Sequence, residues 1–367
     1  MREKAKVIII NLLVFAGAWL LLETSAWLVY RRLPVQYQSG KRLVEAFLGK
    51  GQREEVRSID AHPYLLYANH PGHVDSVLQN NSLGYRNPEF SLKKDSNTLR
   101  ILALGGSTTY GFLNRDPKQT WPAILENKLD AALDQPVEVI NAGLNYATSA
   151  ELLASYTFRH RYLEADWVLY HGGGNDAAPV VFPNYHPEYT HFRAGGKALT
   201  LRPLERILLR SYVFRIFYSL WLSPIETVYQ SQPYSFSELD PTEVHKAVQD
   251  SANFEGFRRN LDLLTQLIQM DSSQMAMIEF LTASPKKVGQ RRKDLKPILP
   301  DFLAAIEKNR QIMRQISSAQ KIPYIKMPEE AFTDRMFWDY CHLKPIGEEI
   351  KADLIFQALV PLLENNH

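Results

Sequence analysis

Apolar positions along the chain alternate between short continuous runs and longer stretches with helical spacing. From residue 99 onward, the continuous runs have the length of strands buried on both faces, and amphipathic stretches of helix length separate them. This β–α alternation predicts an α/β fold with a parallel sheet covered by helices on both faces. The predicted strands are Leu99–Leu104, Val137–Ile140, Trp167–Tyr170, Met275–Phe280 and Pro323–Ile325, and the predicted helices are Lys118–Leu133, Ser149–Leu163, Leu261–Gln269, Asp301–Ser317 and Pro345–Leu363.

The first apolar stretch of the chain is long enough to cross a membrane. As a helix, Val7–Tyr30 would be about 36 Å long at ~1.5 Å per residue. Aromatic residues typical of a membrane interface lie in its carboxyl half, at Trp19, Trp27 and Tyr30. We expect residues 1–33 to form an uncleaved anchor that contacts the lipid bilayer through residues 7–30, with the following domain on the periplasmic or extracytoplasmic side. The competing interpretation is a signal peptide cleaved near Thr24-Ser25-Ala26.

Two segments interrupt the regular pattern. Residues 34–98 are dense in Asn, Pro and Gly, which predicts an irregular arm between the membrane segment and the sheet domain of residues 99–367. A strongly apolar insertion around residues 201–222 carries three arginines spaced four apart, which a helix would place on one face. This insertion is either a lid or membrane-surface helix, or a helix packed on the domain with an exposed basic edge. The three arginines are Arg202, Arg206 and Arg210.

Composition narrows the class of protein. The 367-residue chain has 42 basic and 40 acidic residues, and this balance argues against a nucleic-acid partner. Its one cysteine, Cys341, excludes an intrachain disulfide. The sequence contains neither a Cys/His zinc pattern nor a phosphate-binding GxxxxGK[ST] loop.

The stretch Leu99–Gly111, with the sequence LRILALGGSTTYG, places a serine directly beyond the first predicted strand. Gly105 and Gly106 permit a sharp turn, and the next helical pattern starts near Trp121. The carboxyl edge of a parallel sheet is where open α/β folds bind ligands. Ser107 can act there as a nucleophile, provided that a base reaches its hydroxyl. The alternative interpretation is a buried strand that ends in an ordinary Gly-Ser turn.

Three further polar clusters lie beyond predicted strands or before the last helix: Asn141-Ala142-Gly143, His171–Asp176 and Asp339-Tyr340-Cys341-His342. Asp339 and His342 are three residues apart, so a helical turn would place both on one face. The carboxylate can then hold one imidazole nitrogen and leave the other as a base. Taken singly, each cluster is also consistent with turn or capping residues; Asp176, for example, could cap the next helix, as Ser149 could cap the helix predicted at Ser149–Leu163. A metal site made of His171, Asp176, Asp339 and His342 would lack recognised ligand spacing.

Together these motifs resemble the conserved blocks of the SGNH (GDSL-like) hydrolase family. The matching residues are Ser107 in GGST, Gly143 in NAGLNYATSAE, Asn175 in GGGND, and Asp339, His342 and Gly347 in DYCHLKPIG. The arm with NSLGYR, together with the apolar amino terminus, is similar to the N-terminally membrane-anchored bacterial members. One position departs from the family pattern, because the Asp of Gly-Asp-Ser-Leu is replaced by Gly106. This departure bears on the type of substrate.

The resemblance implies a flavodoxin-like parallel sheet of about five strands and a serine esterase that acts through an acyl-enzyme. This mechanism needs neither a metal nor an organic cofactor. It gives Ser107 the role of nucleophile, His342 that of base and Asp339 that of orienting carboxylate. It also implies an oxyanion hole formed by the amides of Ser107 and Gly143 and the side chain of Asn175. The substrate would be an acetyl or longer acyl ester of a glycan, a lipid or a small alcohol. Two alternatives remain: an O-acyltransferase with the same triad, and a non-catalytic binding module on the same scaffold.

Overall fold

A computed structural model describes residues 2–34, 37–48, 59–62, 64–193, 203–229 and 236–364. The described residues fall into two compact units. The first unit, called here the helical unit, comprises the described residues up to 48 together with 203–229. The second, called here the sheet unit, comprises 59–193 and 236–364.

Helices and strands alternate through most of the sheet unit. In chain order the strands are β1 (Ile59–His62), β2 (Leu66–Asn69), β3 (Leu99–Gly105), β4 (Val137–Gly143), β5 (Trp167–His171), β6 (Gln274–Ile278) and β7 (Tyr324–Ile325). Numbered through both units in chain order, the α-helices are α1 (Arg2–Arg31), α2 (Gln38–Phe47), α3 (Ser107–Tyr110), α4 (Trp121–Ala132), α5 (Ser149–Phe158), α6 (Ala177–Val181), α7 (Thr190–Arg193), α8 (Pro203–Leu208), α9 (Tyr212–Tyr229), α10 (Pro241–Gln249), α11 (Glu255–Met270), α12 (Pro285–Arg291), α13 (Leu299–Gln320) and α14 (Pro345–Glu364). Of these, α1, α2, α8 and α9 belong to the helical unit. Short 3₁₀ helices lie at Pro117–Gln119, His160–Leu163, Phe236–Glu238, Ser251–Phe254, Lys293–Ile298, Glu329–Ala331 and Asp334–Met336.

The main sheet has five parallel strands in the order β4-β3-β5-β6-β7. Every residue of β3 and β5 is buried, which explains their continuous apolar sequences. Helices surround the sheet and contribute to one large apolar core. The predicted fold class is therefore confirmed, and the strand order is that of flavodoxin-like folds. In such folds ligands bind at the carboxyl ends of the strands, where the order reverses, which here is the end of β3.

Several element boundaries differ from the predictions. β3, β4 and β5 continue to Gly105, Gly143 and His171, so they reach further toward the predicted site, whereas β6 ends at Ile278 instead of Phe280. The helix expected near Trp121 begins there as α4, and a short additional helix, α3, begins directly at Ser107. The cap of α5 is Thr148, not Ser149, because Glu151 accepts hydrogen bonds from the backbone and hydroxyl of Thr148, both at 2.7 Å.

The segment 64–97 covers β4, which is an edge strand of the sheet. Asn87 makes two hydrogen bonds with this strand: its side-chain amide donates to the carbonyl of Val139 at 2.9 Å, and its oxygen accepts the backbone amide of Asn141 at 2.6 Å. Asn69 donates to the carbonyl of Gly143 at 2.9 Å. These asparagine side chains replace the bonds that a further strand would make, and so protect an otherwise open edge.

In the helical unit, α1 is long and apolar enough to cross a membrane. A small apolar cluster joins the carboxyl end of α1 to other parts of the unit, through Tyr30, Leu33, Val44, Leu209 and Leu222. The predicted insertion forms two helices, α8 and α9, with a break between Leu208 and Tyr212. Arg210 lies in that break and is exposed. The insertion is therefore not one continuous helix, and Arg210 lies outside the helix that contains Arg206; Arg202 lies outside the described residues.

Candidate active site

Ser107 lies at the carboxyl edge of the sheet, where β3 ends and α3 begins. Its backbone amide belongs to the first turn of a helix and has no acceptor within that helix. The position of α3 is fixed from the side of β4, because the backbone nitrogen of Tyr110 lies where a side chain at position 143 would be. Gly143 is therefore required for the close approach of α3 to β4, whatever else it does.

A continuous line of hydrogen bonds connects Asp339, His342 and Ser107. Nδ1 of His342 lies 2.7 Å from Oδ2 of Asp339, and Nε2 of His342 lies 2.8 Å from Oγ of Ser107. The other Asp339 oxygen accepts the backbone amides of Cys341 at 3.0 Å and His342 at 2.9 Å. The Asp339–His342 segment is thus a turn closed by the aspartate side chain, and not the helical turn expected from the spacing.

The electrostatics of this line favour an ionised aspartate. Burial alone would raise the pKa of Asp339, but hydrogen bonds from His342 and from two backbone amides outweigh burial and lower the pKa to about 2. Burial alone would lower the pKa of His342, which is 9% exposed. The neighbouring Cys341 sulfur and the Asp339 carboxylate act in the opposite direction and raise the pKa of His342 above 6.5. The ring of Phe112 packs edge-on against the imidazole, with ring centroids 5.3 Å apart.

Asn175 and Ser107 line the same small pocket, together with Gly106, Ala147, Gly174, Phe280 and Cys341. The side-chain amide of Asn175 donates one hydrogen to the carbonyl of Ala147 at 2.8 Å. An asparagine amide has two hydrogens, so one remains for a ligand. Asn175 and Ser107 are therefore brought together as the sequence predicted.

Gly143 has a different environment. Its backbone amide donates to Oδ1 of Asn141 at 3.0 Å, and its carbonyl accepts from Asn69. It is not among the residues that line the pocket shared by Ser107 and Asn175. To bind an oxyanion as well, the Gly143 amide would have to share its hydrogen between two acceptors.

Asp176 connects neighbouring elements instead of capping its own helix. Its carboxylate accepts the backbone amide of Ser149 at 2.9 Å, the Ser149 hydroxyl at 2.6 Å and the Tyr189 hydroxyl at 3.1 Å. Burial raises the pKa of Asp176 to about 6 despite these hydrogen bonds. This network ties the start of α5 to the end of the loop that carries Asn175, so it positions that loop.

The metal site of His171, Asp176, Asp339 and His342, which the ligand spacing already disfavours, would need the Asp176 carboxylate, and that carboxylate accepts hydrogen bonds from Ser149. Among the described residues, the ligand-type side chains close enough to share one ion are Asp339, Cys341 and His342, whose ligand atoms lie within 4.8 Å of one another. The Asp339 oxygens and the His342 nitrogens are already joined to each other, to backbone amides and to Ser107. The donor set therefore suits proton transfer better than metal binding.

Sequence reasoning missed a buried polar network behind the helix that carries Ser107. Nζ of Lys351 lies 3.1 Å from Nε2 of His171, and the Thr109 hydroxyl lies 3.1 Å from Nδ1 of the same ring. Glu348, one turn before Lys351, accepts the backbone amide of Trp121 at 3.1 Å. Burial lowers the pKa of Lys351 to about 7 and raises the pKa of Glu348 to about 7, against their mutual attraction.

A signal for this network exists in the sequence. The buried stripe of α14 contains Ala352, Ile355 and Leu359. Extended back by one turn at helical spacing, the stripe includes Glu348 and Lys351, which are each 2% exposed. Charged residues are almost always solvent-exposed, so a pattern of apolar residues alone does not extend this stripe to the start of the helix.

The family model described as the GDSL-like lipase/acylhydrolase family matches residues 103–350, about two thirds of the chain. The chain therefore belongs to this family, and it is an ester-hydrolysing enzyme of the GDSL type. A search of curated proteins found no significant match.

Several solved structures are similar to this chain at low sequence identity. The lipase/acylhydrolase from Enterococcus faecalis is 16% identical, with a TM-score of 0.42 over 71% of this chain and 94% of that one. The acetyl xylan esterase AlAXEase is 13% identical, with a TM-score of 0.42 over 71% of this chain and 100% of that one. TesA is 15% identical, with a TM-score of 0.42 over 72% of this chain and 99% of that one. These values are too low to transfer a substrate to this chain.

Proposed function

We propose that this enzyme is a serine esterase that cleaves carboxylic esters through an acyl-enzyme on Ser107. The observation that carries the proposal is the line of hydrogen bonds from Asp339 through His342 to Ser107, at 2.7 and 2.8 Å. The Ser107 oxygen attacks the ester carbonyl while His342 Nε2 takes its proton. The tetrahedral intermediate collapses, and the alcohol leaves with the proton from His342. Water then attacks the acyl-enzyme and gives its proton to His342. The second tetrahedral intermediate collapses, His342 returns the proton to the Ser107 oxygen, and the carboxylic acid is released.

Two donors are proposed to hold the oxyanion during these steps. The backbone amide of Ser107 is at the first turn of α3, and Asn175 lines the same pocket with one amide hydrogen beyond its bond to Ala147. Gly143 remains a proposed third donor, provided that its amide shares the bond to Asn141. A donor acts most strongly when it is aimed at the charged transition state in a site with little water.

A fluorophosphonate probe tests the nucleophile directly. Wild-type protein should be labelled at Ser107 and should release acid from a panel of acyl esters in plain buffer, whereas Ser107→Ala should do neither. Ser284→Ala is the matched control, because Ser284 is exposed and its hydroxyl bonds Asp334 at 2.6 Å. Labelling of Ser107→Ala at wild-type level would overturn the proposal. Transfer of the acyl group to an added sugar, without free acid, would identify the acyltransferase instead.

We also propose that residues 1–33 anchor the enzyme in a membrane, with residues 34–98 as a membrane-proximal arm. In this proposal residues 99–367 form the catalytic domain, with the helical insertion at 201–222, on the extracytoplasmic side. The support is the length and apolar character of α1, whose apolar window is exposed throughout. The full chain should resist extraction by carbonate, because apolar burial and not charge would hold it. Its intact mass should include residues 2–33; a mature chain that begins near Trp27 would establish a signal peptide.

A further inference from the structure

We propose that α9, together with α8, is a second lipid-contacting element that lies in the bilayer interface against α1. Its proposed occupant is the phospholipid bilayer itself. The inference rests on the proposed anchor and adds to it a lipid-facing surface formed by five apolar residues, called here the apolar face: Leu204, Ile207, Phe217, Leu220 and Trp221.

The continuous apolar part of α1 is shorter than the hydrocarbon core of a bilayer. From Val7 to Leu22 the helix would span about 24 Å at ~1.5 Å per residue. A hydrocarbon core is about 30 Å thick and takes about 20 residues. A span of that length that begins at Val7 ends near Ala26. Glu23 therefore lies within the span, about one turn from its carboxyl end.

Glu23 of α1 is paired with the start of α9. A carboxylate at this depth is costly unless it is paired. The Glu23 carboxylate accepts the hydroxyl of Ser211 and, at 2.8 Å, the backbone amide of Tyr212. Tyr212 is the first residue of α9, and the positive end of the helix dipole favours a carboxylate there. The start of α9 is thus held at the depth of Glu23.

Both α8 and α9 present large apolar side chains outward. Phe217 and Trp221 are 62% and 56% exposed, and Leu220 between them is 39% exposed. Their spacing of three and four residues places them on one face of α9. Leu204 and Ile207 of α8 are 65% and 61% exposed. A concentration of large apolar residues, with a tryptophan among them, is typical of a helix that lies in a membrane interface.

The inner face of α9 packs within the helical unit. Leu222 is buried in the cluster that contains Tyr30 and Leu33 of the α1 end. Arg215 is buried, and its Nε donates to the carbonyl of Leu209 at 2.7 Å. Because the inner face is packed against the anchor, the apolar face of α9 is directed away from it. Where α1 is immersed, lipid is the medium that this face meets, and no separate partner is needed.

The test uses the full chain reconstituted in phosphatidylcholine/phosphatidylglycerol vesicles with nitroxide-labelled lipids. In a Cys341→Ser background, one cysteine is introduced at a time and labelled with an environment-sensitive fluorophore. Phe217→Cys and Trp221→Cys report on α9, Val14→Cys reports on the anchor, and Tyr162→Cys, which is 70% exposed on the sheet unit, is the aqueous control. We expect blue-shifted, nitroxide-quenched emission at 14, 217 and 221, and neither effect at 162.

The outcomes separate this inference from the anchor. Quenching at 14 without quenching at 217 and 221 would overturn the inference and keep the anchor. A blue shift at 217 and 221 without nitroxide quenching would mean that protein, such as a second copy of the chain, covers the face, and would also overturn it. Absence of quenching at 14 would overturn the anchor, and the inference with it.

A second measurement tests the role of Glu23. Glu23→Ala removes the acceptor for Ser211 and Tyr212, so quenching at 217 and 221 should be lost while quenching at 14 persists. Glu23→Gln keeps one acceptor oxygen and should retain quenching at all three positions. The melting temperature of both variants, compared with that of the Cys341→Ser parent, serves as the folding control. Unchanged quenching at 217 and 221 in Glu23→Ala would overturn the inference that Glu23 sets the depth of α9.

Discussion

Oγ of Ser107 lies 2.8 Å from Nε2 of His342, although 235 positions separate the two residues in the chain. Ser107 follows β3, the first strand of the main sheet in chain order, and His342 precedes α14, the last helix. Each side chain reaches the site through a different local structure: a helix start for Ser107, and a turn closed by Asp339 for His342. Substitutions that change the protonation of one member without moving the others are therefore the most informative.

Asp339→Asn is the first such substitution. The asparagine oxygen can still accept the backbone amides of Cys341 and His342, which the aspartate accepts at 3.0 and 2.9 Å, so the turn should survive. The new amide group would face Nδ1 as a donor and favour the imidazole tautomer with a hydrogen on Nε2. That nitrogen could then no longer take the Ser107 proton, and kcat should fall by about 10³–10⁴. Steady-state kinetics and a melting curve check both statements; near-normal kcat would contradict the role of Asp339.

The pH dependence of kcat/KM follows from the raised pKa of His342. Protonated His342 cannot accept the Ser107 proton, so activity should rise with pH as the imidazole loses its proton. Because the Cys341 sulfur and the Asp339 carboxylate raise the pKa of His342 above 6.5, the midpoint of this rise should lie above pH 6.5. A profile of kcat/KM for a neutral ester gives this midpoint. A midpoint at or below pH 6.5 would contradict the effect of these neighbours.

Cys341 is the obvious competing nucleophile, and Cys341→Ser should remain active. Its Sγ lies 3.8 Å from Nδ1 of His342, the nitrogen that Asp339 already holds at 2.7 Å. The other imidazole nitrogen, Nε2, lies 2.8 Å from the Ser107 hydroxyl instead. Turnover of a small ester by the purified variant, with fluorophosphonate labelling alongside, is the measurement. An inactive but folded variant would reassign the nucleophile.

Much of the sheet was predictable because strands buried on both faces have a distinctive sequence. Ile101–Leu104 and Val168–Tyr170 are continuous apolar runs, and both lie fully buried in central strands. The polar residues at the strand ends were predictable for the same reason, since parallel strands bring their carboxyl ends to one edge. Ser107 and Asn175 could thus be brought together from the sequence pattern, whereas Asp339 and His342, which precede the last helix, were joined to them by the resemblance to the family's blocks.

The rest depended on contacts between distant segments, which no local pattern contains. The amide of Gly143 is engaged by Asn141, and the edge of β4 is covered by Asn87 from the preceding arm. The buried pair of Glu348 and Lys351 contradicts the usual exposure of charged residues. Each of these is decided by which partner satisfies a polar group in the folded chain.

Lys351 offers a test of whether the buried polar network behind Ser107 stabilises the fold. Lys351→Met keeps most of the side-chain volume but removes the donor to His171, which lies 3.1 Å from Nζ. The free energy of unfolding should fall by about 1–3 kcal/mol, since a buried polar group loses its partner. Lys351→Ala should cost more, because it adds a cavity. Denaturant titration of both variants checks the order; equal stability of Lys351→Ala and wild type would contradict the structural role of this network.

Asn175 provides the most specific test of the proposed oxyanion hole. If its side-chain amide donates to the developing oxyanion, the bond strengthens as charge develops in the transition state. Asn175→Ala should then lower kcat by about 10²–10³ with little change in KM. Asn175→Asp should be at least as damaging, although it has almost the same shape, because it replaces a donor with a charged acceptor that faces a second negative centre.

A purely structural role of Asn175 makes the opposite prediction for the same pair of variants. The side chain also donates to the carbonyl of Ala147 at 2.8 Å, so some loss of stability is expected from either change. In a turn, aspartate is a good substitute for asparagine, so a structural residue would tolerate Asn175→Asp better than Asn175→Ala. Kinetics of both variants, each with its melting temperature, separate the two roles. An active Asn175→Asp beside a destabilised Asn175→Ala would leave the amides of Ser107 and Gly143 as the oxyanion donors.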